Sequence, residues 1–283
     1  MEIVVDRRAV LGESPLWHRE EARFYWVDIP GKGVFRLTAD GPETVYADET
    51  VTAVVELAGG GVAMVTRDGV LAWREGVVTP LLDMTLPEEV RPNDGKCGPC
   101  GRLWFGTMDL ETRRPLGQLF VCDGRSLRLD RSGIILSNGL GWSPDGEVFY
   151  HVDSIRRHIY RHDYDLDRGV AANRSILVDL TGEAEVPDGL AVDVDGNLWV
   201  AFYDGWRIEV FDPTGRSTHV ERLDVQKPTS VAFGGQGLDQ MYVTTASENL
   251  GPGELAAQPR AGAVLRFDPG TRGVPVGIFD PGR

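Results

Sequence analysis

The sequence predicts an all-β fold, specifically a six-bladed β-propeller with a central metal-binding channel. Three observations lead to this prediction. Strand-like segments recur with a period of about 40 to 50 residues, which is typical of propeller blades. Glycine-bearing hairpin turns separate these segments. A polar residue stands at the entrance to each repeat. We expect one propeller domain over residues 1–283, because a ring of blades is a single domain whatever its length.

An apolar or aromatic anchor marks the first strand that we assign to each repeat. The anchors are Tyr25, Ala63, Trp104, Phe149, Trp199 and Tyr242. They lie 38 to 50 residues apart, and a second strand-like segment follows each of them, as at residues 33–37 and 207–211. No segment shows the roughly ten residues of helical periodicity that an α/β fold would need between strands.

The connections between strands also favour short antiparallel hairpins. Residues 143–146, 193–197 and 212–215 each contain an Asp and a Gly, and glycine accepts a positive φ without a Cβ clash. Residues 3–5 are apolar and are expected to form an outer strand of the last blade. That strand would cover an edge that an open ring leaves exposed.

Composition narrows the range of partners and compartments. The formal net charge of −14 and the pI of about 4.8 argue against binding to nucleic acid or to anionic lipid. No apolar run reaches the roughly 18 residues of a membrane span, and the N-terminus lacks the pattern of a signal peptide. Three cysteines cannot form a full disulfide framework. These observations together fit a cytoplasmic protein. We also expect a small-molecule ligand and a monomer or weak homodimer.

The entrance residues carry the chemistry. In a propeller the innermost strand of each blade begins beside the central channel. The six residues at these positions are Glu13, Thr52, Asn93, Asn138, Asp188 and Thr229. Two carboxylates and two amides around one channel are suited to a hard divalent cation.

Two structural explanations compete with a metal site. The pairs Asn138-Gly139 and Asp188-Gly189 are also common in tight turns. Glu13 would be costly to bury alone, and a salt bridge to Arg91 would satisfy it as well as a cation would.

The segment Cys97-Gly98-Pro99-Cys100 resembles a thioredoxin redox motif. That chemistry needs the first cysteine at a helix N-terminus, where its pKa falls. Here a strand-like segment begins after Gly101, so we expect a hairpin between two strands and no redox role. Cys122 is expected to be a buried apolar residue.

The motifs together resemble the gluconolactonase/regucalcin family, which includes senescence marker protein and the luciferin-regenerating enzyme. The resemblance extends over nearly the whole chain, in order. It is carried by four segments, at residues 12–17, 91–108, 137–146 and 187–189. The family is a six-bladed propeller, in agreement with the repeat count.

The resemblance implies a function and a set of site residues. It implies that Glu13, Asn138 and Asp188 bind one divalent metal ion, and that Asp188 also takes part in proton transfer. It implies that Arg91 and Asn93 contact the substrate. Glu111 matches a further substrate contact, although the loop around it is particular to this chain. The implied reaction is metal-dependent hydrolysis of a sugar lactone to the sugar acid.

Two other functions are open at this point: hydrolysis of a phosphotriester or fluorophosphate on the same fold, and non-catalytic calcium binding. No Gly-x-Ser-x-Gly motif indicates a serine nucleophile. The metal could be Ca²⁺, Mg²⁺ or Mn²⁺, which prefer oxygen ligands, or Zn²⁺ or Fe²⁺. The sequence does not select the lactone.

Overall fold

The computed structural model describes residues 1–282, which fold into 24 β-strands and one short helix. The strands form six four-stranded antiparallel sheets. The all-β class and the six repeats predicted from the sequence are therefore confirmed. The prediction of a single domain over 1–283 stays a prediction.

The strands are numbered along the chain, and each sheet is numbered in the same order. Strand β1 (Glu2–Val5) precedes sheet 1, which contains β2 (Gly12–His18), β3 (Arg23–Asp28), β4 (Gly33–Thr38) and β5 (Gly41–Tyr46). Sheet 2 contains β6 (Val51–Glu56), β7 (Val62–Thr66), β8 (Gly69–Arg74) and β9 (Val77–Asp83). Sheet 3 contains β10 (Val90–Cys97), β11 (Leu103–Asp109), β12 (Gly117–Cys122) and β13 (Leu127–Ile134).

The second half of the chain repeats this arrangement. Sheet 4 contains β14 (Ser137–Trp142), β15 (Val148–Asp153), β16 (His158–Asp165) and β17 (Val170–Asp179). Sheet 5 contains β18 (Val186–Val192), β19 (Leu198–Tyr203), β20 (Arg207–Phe211) and β21 (Ser217–Arg222). Sheet 6 contains β22 (Pro228–Gly234), β23 (Gln240–Thr245) and β24 (Val264–Phe267), with helix α1 (Pro252–Ala257) between β23 and β24.

Sheet 6 is completed by the N-terminal strand. Strand β1 pairs with β24 in antiparallel register, with Ile3 opposite Leu265, as expected for residues 3–5. In the other five sheets the strands follow one another in chain order, so each is a simple meander.

The six anchors lie one strand further into each repeat than we expected. They were assigned to the first strands, but they occupy the second strands β3, β7, β11, β15, β19 and β23. The first strands contain fewer aromatic residues and more polar ones. The apolar pattern is therefore clear only from the second strand of each sheet onward.

Contacts divide the chain into two compact units. Unit 1 comprises residues 1–50 and 184–274 and contains sheets 1, 5 and 6. Unit 2 comprises residues 51–183 and the described part of the C-terminal segment that begins at Pro275, and contains sheets 2, 3 and 4.

In unit 2, apolar side chains of neighbouring sheets pack face to face. One cluster joins sheets 2 and 3 through residues such as Val65 and Phe105. A second joins sheets 3 and 4, where the Trp104 and Phe149 rings lie 4.8 Å apart. Trp104 is fully buried, and truncating such a side chain to Ala costs about 3–5 kcal/mol.

The C-terminal segment is part of the unit 2 core. Phe279 is fully buried in the cluster between sheets 2 and 3, and its N–H donates to the carbonyl of Glu56. Gly277 donates to the carbonyl of Cys97, and a Cβ at Gly277 would lie 1.8 Å from the Gly98 carbonyl oxygen. Glycine is therefore required where the segment crosses the hairpin at Gly98.

Unit 1 has an equivalent core. One cluster joins sheets 5 and 6 through Trp199 and Phe233. Another joins sheets 1 and 6, where the Phe24 and Tyr242 rings stack 4.5 Å apart. The core of each unit thus comes from the sheet faces, and the ends of the strands are left to carry polar residues.

The cysteine pair lies on a strand hairpin, as predicted. Cys97 ends β10 and β11 begins at Leu103; the turn between them is closed by a hydrogen bond from the Gly101 N–H to the Gly98 carbonyl. Cys122 is a free thiol, and its side chain is buried. Within the described residues, no helix is long and apolar enough to cross a membrane.

Candidate functional site

The predicted entrance residues all lie in the first strands of their sheets. They are Glu13 in β2, Thr52 in β6, Asn93 in β10, Asn138 in β14, Asp188 in β18 and Thr229 in β22. At this point in every sheet the pairing register between the first and second strands shifts. Such β-bulges redirect side chains and are common beside active sites. We call this end of each sheet the entrance end.

The explanation of Asn138-Gly139 and Asp188-Gly189 as turn pairs is wrong. Both pairs lie inside strands, β14 and β18. Gly189 is needed for packing instead, because a Cβ there would lie 2.0 Å from Oγ of Ser230 in β22. Asp188 is therefore held in a strand that closely approaches its neighbour within unit 1.

In unit 2, hydrogen bonds join three of the predicted site residues. Nη1 of Arg91 donates to Oδ1 of Asn93 (2.9 Å) and to the Pro92 carbonyl (2.8 Å). Nδ2 of Asn93 donates to Oδ1 of Asn138 (2.6 Å). Nδ2 of Asn138 donates in turn to Oγ of Ser154 (2.9 Å). We call this series the amide relay; it fixes the orientation of both amides.

The amide relay leaves Asn138 suited to bind a cation. Its Nδ2 is turned to Ser154, so its oxygen lies on the Asn93 side. An amide oxygen has two lone pairs and can accept the bond from Asn93 while also ligating a metal. Asn138 is only 4% exposed, so its oxygen would bind an ion with little competition from bulk water. The Asn138 oxygen therefore fits a divalent cation that prefers oxygen ligands.

Neighbouring entrances within each unit share one further hydrogen bond. Nδ2 of Asn93 also donates to the carbonyl of Ser137, the residue before Asn138 (3.0 Å). In unit 1, Oγ1 of Thr229 donates to the carbonyl of Gly12, the residue before Glu13. In both cases an entrance side chain holds the backbone just ahead of the next entrance residue.

The side chain of Ser137 is hydrogen-bonded to a buried histidine. Oγ of Ser137 lies 2.8 Å from Nε2 of His151, and both residues are buried. Burial, with the nearby Arg131 charge contributing less, lowers the pKa of His151 to about 3. His151 is therefore neutral at physiological pH. Gly106 packs against Ser137, and a Cβ there would lie 1.7 Å from Ser137 Oγ.

Glu13 and Asp188 belong to unit 1. Oε2 of Glu13 accepts a hydrogen bond from the N–H of Ser14 (3.1 Å), and Ser14 has a left-handed φ of 48°. Asp188 is 6% exposed and follows Pro187, which lies opposite Phe202. Both carboxylates are thus placed by bulged first strands.

Glu111 lies on the loop between β11 and β12. The loop is at the entrance end of sheet 3, because Val90 at the start of β10 pairs with Asp109 at the end of β11. The Glu111 side chain is 66% exposed and lies 3.8 Å from Arg113.

Asp109 holds this loop in place. Its Oδ2 accepts the N–H groups of Arg113 (3.0 Å) and Arg114 (2.9 Å), and its Oδ1 pairs with the Arg114 guanidinium (2.8 Å). The backbone hydrogen bond from Arg114, followed by its side chain and the Arg113 N–H, lowers the pKa of Asp109 to about 2. Asp109 therefore stays ionised and presents the loop at neutral pH.

The sequence interpretation did not identify Ser154, His151 or Asp109. Ser154 and His151 act on residues 16 and 14 positions away, so strand register brings them together and no local motif marks them. Asp109 has a local signal that could have been used. It ends an apolar strand and precedes a polar loop, where Asp commonly binds nearby backbone N–H groups.

Among residues 1–282, the structure contains no metal site made only of His, Cys, Asp and Glu. In that part of the chain, no three such side chains are grouped closely enough to hold an ion. The predicted set of Glu13, Asn138 and Asp188 is of another type, with two carboxylates and one amide.

A family model described as SMP-30/Gluconolactonase/LRE-like region matches residues 11–247. The chain belongs to this family. The match includes every predicted site residue, from Glu13 to Asp188.

Similarity to a named relative extends over almost the full length of the chain. The chain is 36% identical to regucalcin of Gallus gallus over 288 residues, which covers 97% of this chain and 96% of the relative.

Solved structures of the family share the fold. A calcium-binding protein, regucalcin from Agrobacterium tumefaciens, superposes with a TM-score of 0.91 at 22% identity, covering 99% of this chain and 95% of that one. A luciferin-regenerating enzyme gives 0.82 at 29% identity, covering 96% and 94%. The protein is thus a six-bladed β-propeller with sheets 1 to 6 as its blades, as the sequence predicted.

Proposed function

We propose that this protein hydrolyses a sugar lactone, an aldonolactone, to the corresponding sugar acid with the help of one divalent metal ion. The observation that supports this most is the amide relay. It orients two amides and an arginine at adjoining entrances, an arrangement suited to binding oxygen-rich ligands. Membership of a family whose description includes gluconolactonase supports the same reaction class.

Glu13, Asn138 and Asp188 would hold the metal ion. The proposal rests on their matched positions at bulged entrances and on the family resemblance. An all-oxygen set suits Ca²⁺, Mg²⁺ or Mn²⁺, and three protein ligands also admit Zn²⁺ or Fe²⁺. When bound, such an ion acts as a Lewis acid toward an ester carbonyl.

Arg91, Asn93 and Glu111 would bind the substrate. Arg91 and Asn93 are fixed by the amide relay and would orient hydroxyl and carbonyl oxygens of the lactone by charge-assisted and neutral hydrogen bonds. Glu111, on the loop held by Asp109, would accept hydrogen bonds from ring hydroxyls. Such positioning removes much of the entropic cost of reaching the reactive geometry.

Asp188 would move the proton. It would accept a proton from the attacking water and return it to the ring oxygen as the acyl–oxygen bond breaks. A carboxylate oxygen bound to a cation is a weaker base than a free one. One oxygen of Asp188 would therefore bind the ion while the other faces the water.

The variant Asp188→Asn tests this role. We expect it to retain metal at reduced affinity and to lose at least about 100-fold in kcat, the usual contribution of a general base. Metal content and initial rates should be measured on the same sample. Asp212→Asn is the matched control, since Asp212 lies in the β20–β21 hairpin at the opposite end of the same sheet. Full activity of metal-loaded Asp188→Asn would exclude Asp188 as the base.

The alternatives give different outcomes. Metal binding without turnover of any lactone would favour a cation-binding propeller, and turnover of phosphotriesters alone would favour that class of hydrolase. We further propose a cytoplasmic location and a monomer or weak homodimer. The chain has three cysteines, too few for a full disulfide framework, and this supports a reducing compartment.

A further inference from the structure

Trp206 stands apart from the other aromatic residues. Among residues 1–282 it is the only Phe, Tyr or Trp that is exposed, at 38%. The remaining aromatic side chains are buried or half-buried. A large apolar ring left in water usually costs free energy that burial would recover.

Trp206 lies at the entrance end of sheet 5. Strand β19 ends at Tyr203, which pairs with Val186 at the start of β18. The β19–β20 connection at residues 204–206 therefore lies at the same end of the sheet as Asp188. It is the counterpart in sheet 5 of the β11–β12 loop that carries Glu111 in sheet 3.

The backbone of Trp206 is held in an unfavourable conformation. Its φ is 55°, a left-handed value that costs a non-glycine residue roughly 1–2 kcal/mol. Asp204 in the same turn has a φ of 63°. Such outliers persist only where the surroundings enforce them, and they cluster at ligand-binding sites.

Hydrogen bonds from the surrounding residues hold Trp206 in this left-handed backbone conformation. Its N–H donates to the Gln226 carbonyl (3.2 Å), and its own carbonyl accepts the Leu223 N–H (2.9 Å). The carboxylate of Asp204 binds both Nε2 of Gln226 (2.9 Å) and the buried ammonium of Lys227 (2.5 Å). The turn is thus rigid, and a rigid aromatic surface binds a ligand with little loss of conformational entropy.

We propose that Trp206 is a specificity-determining residue whose ring packs against the C–H face of the lactone ring. This inference rests on the proposed lactonase function. The hydroxyls of an aldonolactone project around the ring edge, and its C–H groups form an apolar face that an indole can cover. Small-molecule sites commonly combine such an apolar wall with a few oriented polar groups, here those of the entrance residues.

The test compares Trp206→Gly, Trp206→Phe and wild type on a six-carbon aldonolactone and on unsubstituted butyrolactone. Trp206→Gly should lose about three- to tenfold in kcat/KM on the aldonolactone, mostly through KM, as expected for one aromatic contact. The loss of kcat/KM on butyrolactone should be smaller. Trp206→Phe should retain most of the wild-type kcat/KM on the aldonolactone. Unchanged kcat/KM for Trp206→Gly on the aldonolactone would overturn the proposal.

Thermal unfolding separates this role from a structural one. Glycine relieves the left-handed strain, so Trp206→Gly should unfold at the same temperature as wild type or a few degrees higher. Glu75→Gly is the matched control. Glu75 is exposed with a φ of 47°, in the β8–β9 hairpin at the opposite end of its own sheet, and this change should leave kcat/KM unaltered. A destabilised Trp206→Gly that loses kcat/KM equally on both lactones would indicate a structural role and contradict the proposal.

A titration with a 1,5-anhydro sugar alcohol, which keeps a six-membered ring but has no ester to hydrolyse, distinguishes failure of this inference from failure of the proposed function. Intrinsic fluorescence should change in wild type and not in Trp206→Phe. If wild type hydrolyses no lactone, the proposed function fails, and this titration alone decides on Trp206. Identical titration curves for the two proteins would overturn the inference.

Discussion

Nδ2 of Asn93 donates a 2.6 Å hydrogen bond to Oδ1 of Asn138, 45 residues further along the chain. The bond connects the entrance residue predicted to bind substrate with one predicted to bind metal. A change in one amide should therefore alter the orientation of the other, which would couple the two predicted roles in unit 2.

Asn138→Ala should weaken both metal binding and folding. It removes a proposed ligand and the partners of Asn93 Nδ2 and Ser154 Oγ, and loss of a buried hydrogen-bond partner costs about 1–3 kcal/mol. Calorimetric titration with Ca²⁺ and Mn²⁺ and urea unfolding would measure the two effects. Ser154→Ala is the comparison, because it leaves the Asn138 oxygen in place. Equal metal affinity in Asn138→Ala and wild type would show that Asn138 is not a ligand.

Asp109→Asn should loosen the loop that carries Glu111. An amide oxygen accepts hydrogen bonds less strongly than a carboxylate and cannot form the ion pair with Arg114. Limited trypsin digestion should therefore cut faster after Arg113 in the variant. Asp123→Asn serves as the control, since Asp123 binds backbone N–H groups of another turn. If the two variants are cut at Arg113 equally fast, Asp109 does not hold the loop.

The same carboxylate predicts a pH dependence. The pKa of Asp109 is lowered to about 2 in the folded protein, against about 3.9 in an unfolded chain. Its stabilising contribution is thus present above pH 4 and disappears as the pH falls from about 4 to about 2. Trypsin is inactive there, so pepsin digestion between pH 4 and pH 2 would follow the opening. Other titrating groups act in both proteins, so the difference in pH dependence between wild type and Asp109→Asn belongs to Asp109, and identical dependences would contradict its role.

Two buried histidines should make the protein sensitive to mild acid. Burial lowers the pKa of His151 to about 3 and that of His162 to about 2, and Nη2 of Arg131 lies 3.1 Å from Nδ1 of His162. Their contribution to the free energy of unfolding is complete above pH 6.5, the pKa of histidine in the unfolded chain. It is lost progressively as the pH falls below that value. Each should add about 1.4 kcal/mol per pH unit to the slope of unfolding free energy between pH 6 and pH 4.

His162→Gln isolates this effect. Other titrating groups contribute equally to both proteins, so the difference in slope from urea unfolding at several pH values belongs to His162. The slope should fall by about 1.4 kcal/mol per pH unit in the variant. Identical slopes would show that His162 is protonated in the folded protein.

The sequence predicted the repeats because each blade carries its own local pattern. Entrance residues such as Glu13 and Asp188 are flanked by Pro, Gly and apolar residues within a few positions, so their place at the start of a strand could be read directly. The strand behind them was misassigned as the first one, since Trp104 and its equivalents are more apolar than the polar strands that precede them.

The residues that hold the site residues in place could not be predicted from local sequence patterns. The contact of Ser154 with Asn138 and that of His151 with Ser137 depend on the pairing register of β14 with β15. The register contains a bulge at Asn138, and an inserted residue changes which side chains face each other. Periodicity alone does not locate such a bulge, so these partners became visible only in the structure.

The most direct test of the central claim is a titration of metal back into chelator-treated protein while proton release from an aldonolactone is followed and corrected for spontaneous hydrolysis. Lactone turnover should vanish on chelation and return in proportion to added metal, reaching a plateau at about one ion per chain. Turnover that persists without metal, or metal that binds without restoring turnover of any lactone, would contradict a metal-dependent lactonase.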